Sequence, residues 1–422
     1  MQKQNILVIG SGGREHAILC AMKKSPLCGK LYAAPGNGGI AKIAECINCK
    51  ATDIDGILKF LETSDVDLVF VAPDDPLMLG MVDRIEEKGI RVFGPRQNAA
   101  IIEGSKVFSK DLMKKYNIPT AGYEVFENPA DVIEYIKSKN TFPTVIKAEG
   151  LALGKGVIIA EDMTAAEAAV KTIMEDKIFG ASGNRVVVEE FLTGPEVSVL
   201  AFCDGKNVVP MVSAQDHKRA FDHDKGPNTG GMGTFSPSRV YTPDIAEVCI
   251  DTIFRPTVAA MAQEGRPFKG VLYFGLMLTT KGPMVIEYNA RFGDPETQVV
   301  LPRLKTDFIE IINAIIDEKL DSMNIEWYDN AAVCVVAASG GYPGSYKTGY
   351  EISGLEECEN IGATVYHAGT KLSEGRIVTS GGRVLGITTT APNLDMAIKK
   401  TYEAVEKVSF TDMFYRKDIG IK

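Results

Sequence analysis

Three polar residues stand two apart in the run Ile286-Glu287-Tyr288-Asn289-Ala290-Arg291. A period of two is the side-chain period of a β-strand. It predicts one face carrying Glu287, Asn289 and Arg291, and an opposite face carrying Ile286, Tyr288 and Ala290. Successive side chains on such a face lie about 7 Å apart. A carboxylate and an amide oxygen are hard ligands, suited to a magnesium ion that brings phosphate oxygens and water with it. A guanidinium beside them suits a phosphoryl group or a carboxylate. The face is therefore a candidate reaction centre. Its competitor is a solvated strand face, and the rest of the chain decides between the two.

The 422 residues leave room for several domains, with 45% hydrophobic and 24% charged residues as in ordinary globular proteins. A net charge of −9 argues against a general nucleic-acid or anionic-membrane surface. Anions must then be held by local clusters of Lys, Arg and backbone N–H groups. No apolar run approaches the length of a bilayer span, and the first residues lead straight into a strand. A cytoplasmic chain without a secretory signal is expected. Cys46 and Cys49 form one CxxC with no second ligand pair near it, which reads as free thiols and not a zinc site.

Residues 1–103 alternate strand and helix. Strands are predicted over 6–9, 31–34, 68–71 and 91–93, and helices over 14–24 and 78–88. This is an α/β, doubly wound parallel sheet, whose ligands sit beyond the carboxyl ends of the strands. Gly12, Gly13, Gly36, Asn37 and Asp74 lie at those ends. The first turn, Gly10-Ser11-Gly12-Gly13-Arg14-Glu15-His16, departs from the dinucleotide fingerprint. Glu15 stands where a third glycine belongs, and the second strand ends without the acid that takes a ribose hydroxyl. A small phosphate held by N–H groups and Arg14 is the expected occupant.

Residues 104–326 carry the next group of signals. Ser105 caps a helix predicted to run to about residue 116, with Lys106 at its start. Within 120–190, strands over 144–148 and 157–160 enclose Gly154-Lys155-Gly156. No Ser or Thr follows that lysine, and a strand follows where a P-loop needs a helix. The loop reads instead as a hairpin flap, with Lys147 and Lys155 reaching phosphates. A strand over 186–192 ends at Glu189, Glu190 and Leu192, where backbone groups can meet an adenine edge; Glu196 begins the next strand. A polar, Gly-rich connection holds Asp216, Lys218, Arg219, Asn228, Thr229 and Gly230, and suits a charged substrate. Residues 327–422 form a strand-rich closing lobe.

Together these pieces describe an enzyme that uses ATP to activate an anionic substrate. Phosphoryl transfer needs positioning and charge neutralisation more than a protein nucleophile. The order of strand lysine, glycine flap, Glu-bearing strand end and Glu-x-Asn-x-Arg resembles the ATP-grasp superfamily. Within it, the chain resembles the phosphoribosylamine–glycine ligases of purine biosynthesis. The specific runs are Gly-Pro-Asn-Thr-Gly-Gly-Met-Gly at 226–233 and Arg-Phe-Gly-Asp-Pro-Glu-Thr-Gln at 291–298, with Glu-Gly-Ser-Lys at 103–106 and Arg-Lys-Asp-Ile-Gly at 416–420.

The resemblance implies a central ATP-grasp fold, with residues 120–190 as a mobile small unit. It implies ATP and Mg2+ (or Mn2+) as cofactors, and glycine and 5-phosphoribosylamine as substrates of a monomeric enzyme. By motif position, Glu287 and Asn289 hold the metal. Lys106, Lys147, Gly154, Lys155 and Gly156 meet the phosphates. Glu189, Glu190, Leu192 and Glu196 line the nucleoside. Arg291, Lys155 and Asp216 are the implied catalytic groups. Gly12, Gly13, Arg14, Gly36, Asn37, Asp74, Asp216, Lys218, Arg219, Asn228, Thr229, Gly230, Arg291 and Asp294 line the substrates. Gly275 departs from the superfamily, where an acid commonly precedes the Glu-x-Asn strand. The rivals are a carboxylase or formate-using ligase of the same superfamily, a nicotinamide oxidoreductase, and a non-catalytic nucleotide-binding regulator.

Overall fold

The computed structural model describes residues 3–151 and 156–421. Gly154 and Lys155 of the expected flap lie outside the described residues. Gly156 is buried just ahead of strand Val157–Ala160.

Five parallel strands run side by side in the order Glu45–Cys46, Cys28–Pro35, Gln4–Gly10, Leu68–Val71, Arg91–Phe93. Ile6 to Ile9 and Leu68 to Val71 are buried without alternation, as in strands covered on both faces. The strand order reverses between Gln4–Gly10 and Leu68–Val71. The crevice beyond those two strand ends is the place where such a sheet takes a ligand. The helix expected over 78–88 is two helices, Asp74–Met78 and Met81–Glu86. Gly80 between them takes a φ of 80°, a left-handed conformation that ends one helix and lets the next begin.

An antiparallel sheet of Val208–Pro210, Glu196–Asp204, Lys269–Thr279 and Gly282–Asn289 packs on the parallel one. Val199, Phe274, Val285 and Tyr288 share a core with Leu7, Ile9, Val69 and Val71. The two sheets thus form one base. A second antiparallel sheet, Tyr123–Phe126, Val186–Glu190, Thr144–Ala148 and Val157–Ala160, has a separate core with helices Pro129–Lys139 and Met163–Val170.

The closing sheet joins Gln215–Asp216, Gly233–Ser236, Ala331–Ala338, Arg383–Ala391 and Thr364–His367. The Gly-rich connection is therefore not a loop but a ribbon built into this lobe. Gly233 permits it: its φ is 155°, and a Cβ there would meet the Cys334 carbonyl at 2.7 Å. Among the described residues, no helix is long and apolar enough to cross a membrane.

The first and closing lobes are clasped by histidines. The His367 N–H donates to His16 Nδ1 at 2.9 Å, and Asn37 Nδ2 donates to the carbonyls of Ser11 and His367 at 2.8 Å each. Burial keeps these imidazoles neutral, taking His16 down to about 3 and His367 and His217 down to about 4. The unfolded chain binds protons at these sites near pH 6.5, before the folded one does. Their contribution is therefore intact above about pH 6.5 and is lost as pH falls toward 4. The melting temperature should drop progressively between pH 7 and pH 4.5; a flat profile contradicts this account.

Candidate active site

Strand Gly282–Asn289 carries a β-bulge. Glu287 lies opposite Gly275 while Val285 lies opposite Leu276, so Ile286 is the extra residue. This corrects the simple alternation expected for Ile286, Tyr288 and Ala290. Val285, Tyr288 and Ala290 are the buried set, and Ile286 is not. A bulge re-aims the side chains beside it. Here the Ile286 carbonyl accepts a hydrogen bond from Lys147 Nζ at 3.1 Å, and Glu287 turns across its partner strand. A Cβ on Gly275 would lie 3.0 Å from Glu287 Cγ, so the glycine makes room for that turn. Arg291 lies in a bend just past the strand.

Lysines surround this point. Lys147 Nζ is 3.0 Å from Glu189 Oε1, and Lys110 Nζ is 2.9 Å from Glu189 Oε2. Lys106, at the start of helix Lys106–Lys115, donates to the Gly150 carbonyl at 2.9 Å. Ser105 caps that helix by accepting the Phe108 N–H at 3.1 Å. Lys218 Nζ stands between Glu196 (3.0 Å) and Glu287 (3.5 Å). Lys218 in particular, with Lys147 and Lys106, holds the Glu287 carboxyl below its ordinary range despite burial. Burial pushes Lys110 down to about 8. Glu189 therefore serves two lysines, and its carboxylate is not left over for a base. The Glu190 N–H is committed to the Gly122 carbonyl at 2.9 Å, and Leu192 lies beyond the strand.

Arg291 links this cluster to the parallel sheet. Its Nη2 is 3.0 Å from Glu103 Oε1 and donates to Asn289 Oδ1 at 3.3 Å. Glu103 Oε2 in turn accepts the Ala290 N–H at 2.6 Å. Burial raises the Glu103 carboxyl to about 7, although Arg291 opposes the rise. Asp74 lies at the strand crossover, where Arg291 and Arg14 outweigh burial and keep its carboxyl low. A cleft beyond the strand ends is lined by Ala72, Gly94, Ala290 and Arg291.

At the first turn, Glu15 explains its own departure from the dinucleotide pattern. Its Oε2 accepts the Gly12 N–H at 2.5 Å, and its Oε1 is 2.6 Å from Arg14 Nε. The carboxylate caps helix Gly13–Lys23 from within, so the Gly12 N–H is not available to a phosphate. The Asn37 amide is likewise engaged: its Nδ2 as described above, its Oδ1 by the N–H groups of Gly39 and Ile40 at 2.9 Å. Gly36 is backed by Cys46, whose Sγ a Cβ would meet at 2.5 Å.

The ribbon brings the remaining groups. Asp216 Oδ1 accepts the His217 N–H at 2.7 Å, and burial together with Glu296 raises its carboxyl well above the ordinary range. The Lys218 carbonyl accepts from the Thr229 N–H and hydroxyl, both at 2.8 Å. Arg219 Nη1 turns back along the ribbon to the Gly226 carbonyl at 2.9 Å, and Asn228 pairs with Arg219. Arg383 ties Gly230 to Asp294: its Nη1 donates to the Gly230 carbonyl at 2.5 Å and its Nη2 is 3.1 Å from Asp294 Oδ2. That carboxylate faces Gly12, where a Cβ would meet it at 3.4 Å. A cleft lined by Glu196, Ser198, Asp216, Lys218, Tyr273 and Gly275 opens beside Glu287.

Four residues of this arrangement carry no role in the sequence reading: Glu103, Lys110, Glu296 and Arg383. Lys110 is four residues after Lys106 on one helix, and that spacing alone places both on one side. Glu103 is a lone acid closing the apolar run Ala99-Ala100-Ile101-Ile102. Glu296 accepts from Ser198 Oγ at 3.1 Å, and no local pattern foretells that contact or those of Arg383.

A parallel sheet joined to two antiparallel sheets, with lysines and a Glu-x-Asn strand between them, defines an ATP-grasp protein. Models of the phosphoribosylglycinamide synthetase N domain, ATP-grasp (A) domain and C domain match residues 4–103, 104–297 and 332–422. The chain is similar to phosphoribosylamine–glycine ligase of Clostridium acetobutylicum, with 49% identity covering 98% of this chain and 99% of that protein. It is similar in structure to phosphoribosylamine–glycine ligase from Thermotoga maritima, with a TM-score of 0.87, 37% identity, and coverage of 99% and 100% of the two chains. Biotin carboxylase from Campylobacter jejuni shares the fold alone, at a TM-score of 0.75 and 13% identity over 98% of this chain and 93% of that one. The chain belongs to the phosphoribosylglycinamide synthetase family.

Proposed function

We propose that this protein joins glycine to 5-phosphoribosylamine with ATP, giving glycinamide ribonucleotide, ADP and phosphate. Beside the family similarity, the observation that carries this reading is the position of Arg291. It touches Asn289 at the strand end that the lysines surround, and with Arg14 it acts on Asp74 at the crossover of the parallel sheet. A nucleotide cluster and a second substrate crevice thus meet at one guanidinium.

In this reading a glycine carboxylate oxygen attacks the γ-phosphorus of ATP, and ADP leaves. The ribosylamine nitrogen then attacks the acyl carbon of the glycyl phosphate, and phosphate leaves with that oxygen. Lys106, Lys147 and Lys155 neutralise the polyphosphate. Arg291 balances the charge on the group in transfer, as preorganised cations do in a dry site. Backbone groups around 190–192 meet adenine, and Glu196 the ribose. Arg14, Asp74 and the ribbon residues Asp216, Lys218, Arg219 and Asn228 to Gly230 hold glycine and the phosphoribosyl group. The small unit with its own core closes over the nucleotide.

Glu287 and Asn289 fit a magnesium or manganese ion. Among the described residues, no cluster of three or more His, Cys, Asp or Glu forms a metal cage. One carboxylate and one amide suit an ion that keeps water and arrives with phosphate oxygens. The Lys218 ammonium between Glu196 and Glu287 shows that the place accepts positive charge. When bound, the ion supplies further neutralisation of the transferring phosphate.

We take the enzyme to be a cytoplasmic monomer. A light-scattering mass near 45.7 kDa tests the monomer, and twice that value contradicts it. The functional test is ADP release across a substrate panel. ADP is expected only when glycine and freshly made phosphoribosylamine are both present. ADP release that ignores glycine contradicts the assignment and favours a carboxylase or formate-using ligase.

A further inference from the structure

The Arg-Lys-Asp-Ile-Gly run at 416–420 has no place in the chemistry above, yet Arg416 is among the most deeply buried side chains of the protein. Its Nε and Nη2 form a two-pronged pair with Asp418 Oδ1 and Oδ2, both at 2.8 Å. Its Nη1 is 3.0 Å from Asp224 Oδ1 and donates to the Arg219 carbonyl at 3.1 Å. Asp418 Oδ2 also accepts the His223 N–H at 2.8 Å, and the Lys417 N–H donates to Asp222 Oδ1 at 2.7 Å. Every one of these partners lies in one turn or in the strand leading to it, between Arg219–Phe221 and Lys225–Asn228.

That turn is strained. His223 and Asp224 have φ values of 60° and 53°, although neither is glycine. Such conformations cost of order 1–3 kcal/mol each and persist only where the surroundings over-determine them. The 416–418 segment supplies that determination: Arg416, fixed by its pair with Asp418, reaches Asp224 and the Arg219 carbonyl, the Lys417 N–H donates to Asp222, and Asp418 accepts the His223 N–H. At the other end of the ribbon the Thr229 N–H and hydroxyl both donate to the Lys218 carbonyl, and the Lys218 ammonium lies 3.5 Å from Glu287 Oε1.

We propose that Arg416 and Asp418 are positioning residues. They hold the 222–224 turn and thereby set the ribbon's substrate-facing end, governing affinity for glycine and phosphoribosylamine but not for ATP. Neither touches a reactant. The inference rests on the functional reading above, because it assigns the ribbon to the non-nucleotide substrates.

The test compares Asp224→Asn, at a half-exposed site, with Arg416→Gln, using steady-state kinetics and nucleotide binding. KM for glycine and for phosphoribosylamine should rise about tenfold in each variant, consistent with small displacements of positioning groups. KM for MgATP and its affinity by calorimetry should stay within about twofold. Hydrogen exchange across 219–228 should quicken in both. Unchanged KM for both non-nucleotide substrates in Asp224→Asn, or an equal rise for all three substrates, overturns the proposal. A wild-type protein without glycine-dependent ADP release defeats the functional reading instead, and the exchange result then judges whether Arg416 and Asp418 hold the 222–224 turn.

Discussion

Arg291→Ala should lower kcat by roughly a thousandfold or more, as expected for loss of a preorganised charge at the group in transfer. MgATP affinity should change by no more than a few fold, because the proposed polyphosphate site is formed by the lysines and not by Arg291. The variant should still fold. Glu103 loses its principal counter-charge, and its carboxyl, already raised to about 7 by burial, rises further. At neutral pH it takes a proton in place of standing as a buried anion, which limits the cost to about 1–3 kcal/mol. Arg291→Lys should recover little, since a point charge cannot span Glu103 and Asn289 at once. Near-normal turnover in Arg291→Ala, with intact folding, contradicts the assigned role.

Glu287→Gln is expected to lower turnover by at least roughly a hundredfold. The change is isosteric, and among the described residues the ion-pair partner of Glu287 is Lys218 at 3.5 Å, so the fold should be unaffected. What is lost is the one carboxylate of the proposed metal pair. Manganese bound with nucleotide, followed by its electron paramagnetic resonance signal, should weaken by more than tenfold, in line with loss of a hard anionic ligand. Lys218 also loses one of its two acids. Its ammonium then keeps Glu196 as its ion-pair partner, and excess manganese should restore only part of the rate. Unaltered manganese affinity in Glu287→Gln contradicts the placement of the ion.

Much of this architecture was legible in the sequence, for reasons that differ by element. Four of the five parallel strands centre on short apolar runs, and the hairpin strands have strong β-propensity, so these announce themselves locally; Glu45–Cys46, two exposed residues, does not. The face of Glu287, Asn289 and Arg291 was legible as a set but not in its detail. A period of two cannot report the bulge at Ile286, because a bulge is decided by the partner strand, here at Gly275. The ribbon at 215–236 reads as a loop in the sequence because Gly, Asn and Asp mark turns. Its pairing with Ala331–Ala338 is a contact about a hundred residues away, beyond any local pattern. Glu15 illustrates a different limit. Its type signalled that the turn was no dinucleotide site, but only the folded geometry shows the carboxylate consuming the Gly12 N–H. Glu103 carries no signal of its task, since a single acid in an apolar run gives no hint of which arginine it will meet.

The measurement that bears most directly on the chemistry follows one oxygen atom. With glycine labelled by 18O in its carboxylate, together with ATP and fresh phosphoribosylamine, the released inorganic phosphate should carry one labelled oxygen per turnover. That oxygen is the bridge of the glycyl phosphate, cut from carbon when the amine attacks. Phosphate released without label, while glycinamide ribonucleotide forms, contradicts activation of glycine by phosphoryl transfer.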